Sequence, residues 1–191
     1  MVPTPGAIYV GIGANLAGPW GGPADGCRLA LSYLDSGAVR VWRVSPLYES
    51  APVPPDPTQP WYVNAVAEVR SALTPAALLA RLHEIERAMG RQRRRRNEAR
   101  PIDLDLLDYG GRVHSGEPRL PHPRLHQRAF VLLPLADLQP AWRHPQSGRR
   151  LPALIAALPP GQPLRRVRRT EPPGTAGRGQ RCARPGGAET A

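Results

Sequence analysis

Two aspartates separated by one leucine, Asp103 and Asp105, follow a stretch that holds six arginines between residues 91 and 100. In an extended strand residues i and i+2 point the same way, so the two carboxylates share a face about 6 to 7 Å apart. Ile102, Leu104 and Leu106 then turn to the opposite, apolar side. Neighbouring carboxylates repel, which raises a pKa or costs stability unless a divalent cation lies between them. Carboxylates beside several guanidiniums match the charges of a nucleotide polyphosphate with its magnesium ions. Two other readings stay open on these residues. One is a solvated edge-strand face next to a nucleic-acid-binding arginine run. The other is a metal-dependent phosphohydrolase using Asp103, Asp105 and His122. Grip on single strands commonly adds aromatic stacking platforms, and none is interleaved with "RQRRRR".

Charge and composition narrow the classes. All 26 basic residues are arginine, so any phosphate contact is planar and multi-pronged, and a Walker-type loop, which needs its lysine, is excluded. The net charge of +11 is concentrated in two places: residues 91 to 100 carry +5 and residues 161 to 191 another +5. A basic stripe across a folded face is not indicated. With 191 residues and 41% apolar content, one packed core with an appendage is expected. Cys27 and Cys182 lie far apart, and no secretory signal or long apolar run is present, so a protein of the reducing cytoplasm is expected.

The elements that must position these residues follow from periodicity and punctuation. "AIYVGIG" (7 to 13) reads as a buried strand feeding a turn, followed by a helix with Leu29, Ala30, Tyr33 and Leu34 at helical spacing. "VRVWRVSPLYES" (39 to 50) alternates as one half-exposed strand, and "WYVNAVAEVR" (61 to 70) alternates again. Between them "APVPPDPTQP" holds five prolines, a long internal loop of the kind that carries function. "TPAALLARLHEIERAMG" (74 to 90) has Thr74 as N-cap, Pro75 at the first position, Gly90 past the end, and a stripe of Leu78, Leu82, Ile85 and Met89. With the strand "IDLDLLDY" the order is β α β β α β, which predicts an α+β, ferredoxin-like two-layer sandwich with helices packed on one face of an antiparallel sheet. "RAFVLLPLADL" and "LPALIAALP" read as shorter helices. The folded domain is expected over 1 to 161, with 162 to 191 a disordered Arg/Pro/Gly-rich tail.

Other signals are weak. "GIGAN" lacks the third glycine of a dinucleotide loop, having Leu16 there. His122 and His126 stand at metal-like spacing without a Cys pair or acidic partner. No nucleophile motif supports covalent catalysis.

Six blocks in order, "YVGIGANL", "SPLYESAPV", "QPWYVNAV", "IERAMGR", "RPIDLDLLDYG" and "LPHPRLHQRAFVLLPL", resemble the 6-hydroxymethyl-7,8-dihydropterin pyrophosphokinases of folate synthesis, over roughly residues 7 to 159. The resemblance implies transfer of pyrophosphate from ATP to the dihydropterin, with two Mg²⁺ ions held by Asp103 and Asp105. It implies catalytic roles for Arg91 and Arg100 together with the aspartates, and ATP contacts from Arg91, Arg93, Arg100, His122, Arg128 and Glu86. Tyr62 and Phe130 resemble the aromatics that sandwich the pterin and Asn64 its amide reader, with Ser50, Ala51 and Val53 framing the ring. The expected partners are these two small molecules, with no membrane and no specific nucleic acid, and the expected state is a monomer. The arginine loop carries no tryptophan, having "NEAR" where a Trp-Gly-Pro-Arg type sequence often stands, and His83 stands where some members have a glutamine against ATP.

Overall fold

The computed structural model describes residues 6–91 and 98–167. Its central sheet is antiparallel throughout, in the order β5-β1-β4-β3-β6, with β2 also paired to β4. The strands are β1 (Ile8–Ala14), β2 (Val39–Val44), β3 (Tyr48–Ser50), β4 (Tyr62–Ser71), β5 (Asp103–Tyr109) and β6 (Leu164–Arg166). The helices are α1 (Pro23–Leu34), α2 (Pro75–Ala88), α3 (Ala129–Leu138) and α4 (Leu151–Ala156), with a single 3₁₀ turn at Leu125–Gln127.

Period-two alternation builds the first core. Ile8, Val10 and Ile12 of β1, Val63, Ala67 and Val69 of β4, and Leu104 and Leu106 of β5 all turn to one face. There they meet Cys27, Ala30 and Leu34 of α1 and Leu78, Leu82 and Ile85 of α2. Helix α2 starts where its punctuation says it should: the Thr74 side chain accepts a hydrogen bond from Ala77 N, Pro75 occupies the first turn, and Gly90 leaves the helix at φ +72°. Each fully buried leucine of this stripe contributes about 1.5–3 kcal/mol of transfer free energy. In α1 the stripe is narrower than the spacing predicts. Tyr33 is exposed, and the packing against the sheet is made by Cys27, Ala30 and Leu34.

The helices α1 and α2 on the antiparallel sheet make the expected α+β, ferredoxin-like sandwich, and the opposite face is covered as well. Tyr9, Val66 and Leu107 of the sheet bury against Leu132, Leu135 and Leu138 of α3, Leu151 and Leu154 of α4, and Trp142. A β-bulge assists: the β1–β5 register passes from Val10↔Leu106 to Tyr9↔Asp108 and skips Leu107. Leu107 therefore packs under α3 while Asp108 accepts a hydrogen bond from Trp142 Nε1 at 2.8 Å on the same side. Burial pushes the Asp108 carboxyl above its usual range, the Trp142 indole and the Gly111 amide opposing.

Three boundaries differ from the expectation. The stretch 39 to 50 is two strands, because Ser45-Pro46-Leu47 breaks the ladder: Pro46 has no N–H to donate. The glycines of "GIGAN" lie inside β1, which runs to Ala14. Residues 162–167 belong to the folded body, since β6 pairs with β3 in the register Tyr48↔Arg166 to Ser50↔Leu164. Residues 168–191, the rest of the expected tail, lie outside the described residues. Among the described residues no helix is long and apolar enough to cross a membrane.

Candidate active site

One end of the sheet opens into a cavity of about 840 Å³. Its floor exists because β1 carries glycine at alternate positions. Gly11 lies opposite Asp105, and Gly13 lies between Asp103 on β5 and Asn64 on β4. A Cβ on Gly13 would stand 3.1 Å from Asn64 Oδ1, so a side chain there would push the amide from its place. The aspartates and the asparagine therefore face one open space across a strand without side chains.

The acidic side of the cavity is a lattice of ion pairs. Asp103 pairs with the guanidinium of Arg91 and with Arg100 Nη1 at 3.1 Å. Asp105 accepts from Arg128 Nη1 at 3.0 Å, and His122 Nε2 lies 3.9 Å from the same oxygen. The pair is electrostatically unequal. Burial and the charge of Asp105 push the Asp103 carboxyl above the usual carboxylate range. Burial alone would raise Asp105 too, but His122 first, then Arg128, hold it below. His122 itself is pushed down by burial, against the pull of Asp105. Its Nδ1 accepts from Arg124 N at 3.2 Å, which leaves the Nε2 proton directed to the Asp105 side.

This donor set fits magnesium. Both aspartates are about one-quarter to one-third exposed (26% and 31%), offer hard oxygens, and repel one another, which adds to burial in raising Asp103. Mg²⁺ is commonly held by one or two carboxylates, with waters and substrate phosphates completing its shell. Among the described residues no group of three His, Cys, Asp or Glu side chains that could hold a metal ion converges. The lining also holds five arginines (91, 100, 119, 124 and 128) against Asp103, Asp105 and Glu117, a positive surplus suited to a polyanion.

The other side of the cavity suits a flat, polar ring. Tyr62 and Phe130 line it from β4 and from the start of α3, with Ser50, Ala51 and Val53 along its rim. Asn64 is 4% exposed, and its Nδ2 donates to Ser50 Oγ at 2.9 Å, which fixes the amide plane. Arg128 lies over Phe130, its Cζ 5.3 Å from the ring centre, so one guanidinium joins the acidic side to the aromatic side. Tyr62 OH donates to Glu98 O at 3.3 Å, which ties the aromatic side to the stem of the arginine loop.

Comparison with known proteins gives the family. The model of the family described as 7,8-dihydro-6-hydroxymethylpterin-pyrophosphokinase (HPPK) matches residues 9–140. The 2-amino-4-hydroxy-6-hydroxymethyldihydropteridine pyrophosphokinase of Pseudomonas aeruginosa is 43% identical over 155 residues, covering 80% of this chain and 91% of that protein. The chain belongs to the HPPK family. Its reaction is the transfer of pyrophosphate from ATP to the dihydropterin, the activity on which the family and its relatives agree. The Synechocystis pyrophosphokinase is 38% identical over 153 residues, with 78% of this chain and 74% of that protein covered. A crystal structure of wild-type Plasmodium falciparum HPPK-DHPS with pteroate superposes at a TM-score of 0.61 over 80% of this chain and 44% of that longer one. At 13% identity that likeness speaks for the HPPK fold alone.

Against this family background, the expected site residues divide into groups. The aspartates, Arg91, Arg100, His122 and Arg128 meet in one cavity with the ring-side residues. Glu86 does not line it. It is 2% exposed beneath β5, where it accepts from Leu104 N at 2.8 Å and pairs with Arg91. Glu86 thus ties β5 to Arg91. Arg93 lies outside the described residues. His83 is on the cavity wall beside Leu79. His126 parts from His122 and stacks edge-on with His144, ring centres 5.5 Å apart. Four residues in or beside the cavity escaped sequence reasoning. The hairpin residues Ser115, Glu117 and Arg119 form a wall that only the fold brings there, and Asn15 ties the loops together; the "GIGAN" motif was the one visible signal for it.

Proposed function

We propose that Asp103 and Asp105 hold two Mg²⁺ ions with the triphosphate of ATP, that Arg91, Arg100, His122 and Arg128 contact its phosphates, and that Tyr62 and Phe130 sandwich the dihydropterin. Asn64 reads the ring edge, with the backbone of Ser50, Ala51 and Val53 framing it. When bound, the metal neutralises charge on the phosphate oxygens. The chain's own residues do the positioning. Tyr62 and Phe130 fix the ring plane, each aromatic contact adding about 0.5–1.5 kcal/mol beyond burial, and Asn64, held by Ser50, fixes its rotation in that plane.

The hydroxymethyl oxygen is thereby aimed at the β-phosphorus. As its new P–O bond forms, the bond from the β-phosphorus to the oxygen bridging toward the α-phosphate breaks, the hydroxyl proton is released and AMP leaves. Charge on the equatorial oxygens meets the guanidiniums of Arg91, Arg100 and Arg128, already oriented by their carboxylate partners. The observation that carries the assignment is the shared cavity: the carboxylate pair and the Asn64 amide face each other across Gly13. We also place the protein in the cytoplasm as a monomer, and with no specific nucleic-acid partner, since +5 of its +11 net charge lies within residues 161 to 191.

The deciding experiment supplies hydroxymethyl-dihydropterin, ATP and Mg²⁺ and follows AMP and the pterin diphosphate. AMP formation dependent on the pterin and on Mg²⁺ is expected. Phosphate release from ATP independent of the pterin would replace this reading with the phosphohydrolase one.

A further inference from the structure

The short segment after α4 does more than end the fold. Helix α3 begins at Ala129, and its N-cap residue Arg128 makes no side-chain cap. It cannot, because a guanidinium has no acceptor and is directed at Asp105. The orphan Ala129 N–H is taken instead by Gln162 Oε1 at 2.9 Å, while Gln162 Nε2 donates to Gln127 O at 2.9 Å. One amide thus grips both sides of the Arg128 turn, one residue from Phe130.

The next residues grip the facing rim. Ala51 N donates to Pro163 O at 3.4 Å, and β6 pairs with β3 so that Leu164 lies opposite Ser50. At the far end Arg166 Nε donates to Tyr48 OH at 2.9 Å and its guanidinium pairs with Asp137, near the C-terminal end of α3. Tyr48 OH in turn donates to Asp137 Oδ2 at 2.6 Å. Residues 162 to 166 therefore fasten α3 to β3 at both of its ends, and the gap so spanned lies between Phe130 and the Ser50–Ala51 rim.

We infer that residues 162 to 166 form a clasp that sets the width of the ring slot, with Gln162 as a positioning residue for the dihydropterin. The inference rests on the assignment of Phe130, Asn64 and Ser50 to the pterin made above. The geometry ties Gln162 to the backbone of Gln127 and Ala129 beside Phe130, and its neighbours Pro163 and Leu164 to Ala51 and Ser50; no bond joins Gln162 to Asp103, Arg91 or Arg100. Arg128, inside the gripped turn and assigned above to the phosphates, keeps its own tie to Asp105, so loosening the clasp should act mainly on the ring side. A general stabilising contact would act on both or on neither.

The test uses the full chain with Gln162→Ala, Gln162→Glu, Phe130→Ala and Asn64→Ala, measuring kcat, both KM values and Tm. Gln162→Ala should raise the pterin KM about five- to ten-fold while the ATP KM stays within about twofold. Gln162→Glu keeps the acceptor for Ala129 N and should recover part of the loss. If Phe130→Ala and Asn64→Ala raise the pterin KM but Gln162→Ala does not, the clasp is wrong and the slot assignment stands. A rise in both KM values together with a lower Tm would reduce the clasp to a structural brace and overturn the inference. If Phe130→Ala and Asn64→Ala also leave the pterin KM unchanged, the slot lies elsewhere and this inference goes with it.

Discussion

Asn15 and Arg100, far apart in sequence, exchange hydrogen bonds in both directions: Arg100 N donates to Asn15 Oδ1 at 2.7 Å and Asn15 N donates to Arg100 O at 3.1 Å. The remaining donor of the same side chain, Asn15 Nδ2, reaches Pro60 O at 3.2 Å in the proline-rich loop. Asn15 is 2% exposed, so these groups have no water to fall back on. Removing the side chain leaves the Arg100 amide unpaired. We expect Asn15→Ala to cost about 1–3 kcal/mol in stability and to lower kcat more than it raises either KM, because Arg100 loses its aim. Chemical denaturation with steady-state kinetics measures both, and unchanged kcat would deny the residue that role.

Substituting either metal-facing carboxylate should separate stability from turnover. Asp103→Asn and Asp105→Asn preserve shape but remove an anionic ligand that Mg²⁺ needs, so AMP release should fall by several orders of magnitude. Asp103→Asn also removes the buried charge and the Asp105 repulsion that raise its pKa, so its Tm without magnesium should be equal or higher. The stabilisation by Mg²⁺ with ATP should largely vanish. Thermal melts with and without Mg·ATP, run beside AMP assays, give the comparison; near-normal AMP release in either variant would remove the metal assignment.

The ring side should respond to different ligands. Phe130→Ala and Asn64→Ala are expected to weaken binding of the dihydropterin much more than binding of ATP, since both side chains lie on the ring side of the cavity. Calorimetric titration of each ligand distinguishes this from general unfolding, which would weaken both equally.

Two truncations should differ although they are only six residues apart. Ending the chain after Val167 should leave Tm and turnover nearly unchanged, and any nucleic-acid binding, steeply salt-dependent, should disappear with the removed arginines. Ending it after Gly161 also deletes Gln162 and β6, together with the pairs of Arg165 with Glu49 and of Arg166 with Asp137, and should lower Tm and raise the pterin KM. Equal behaviour of the two forms would mean β6 contributes nothing.

His144 gives the fold a pH dependence of known sign. It is 6% exposed against Trp142, and burial first, then His126 and Arg149, push its pKa below the ordinary histidine value. The unfolded chain therefore gains this proton before the folded one, so the stability it contributes is present above a pH of about 6.5 and is lost as pH falls from there toward the folded pKa. Tm should decline on acidification through this range, with a shallower slope in His144→Gln. An identical slope in the variant would assign the decline to other groups.

What the sequence determined by itself was local. The shared face of Asp103 and Asp105 follows from a two-residue repeat, and the bounds of α2 follow from Thr74, Pro75 and Gly90, each acting within one turn of its own position. The α+β order and the family resemblance came from blocks read in series. What only the tertiary structure decided depends on partners far apart along the chain. Gly13 is a floor because β1 lies between β4 and β5. Glu86 turns inward because Leu104 N waits there, and Gln162, read as tail, caps a helix that begins more than thirty residues earlier. A hydrogen bond has no signature in composition or periodicity when its two ends meet only through strand order. A polar side chain near a chain's end looks the same whether it faces water or closes a site.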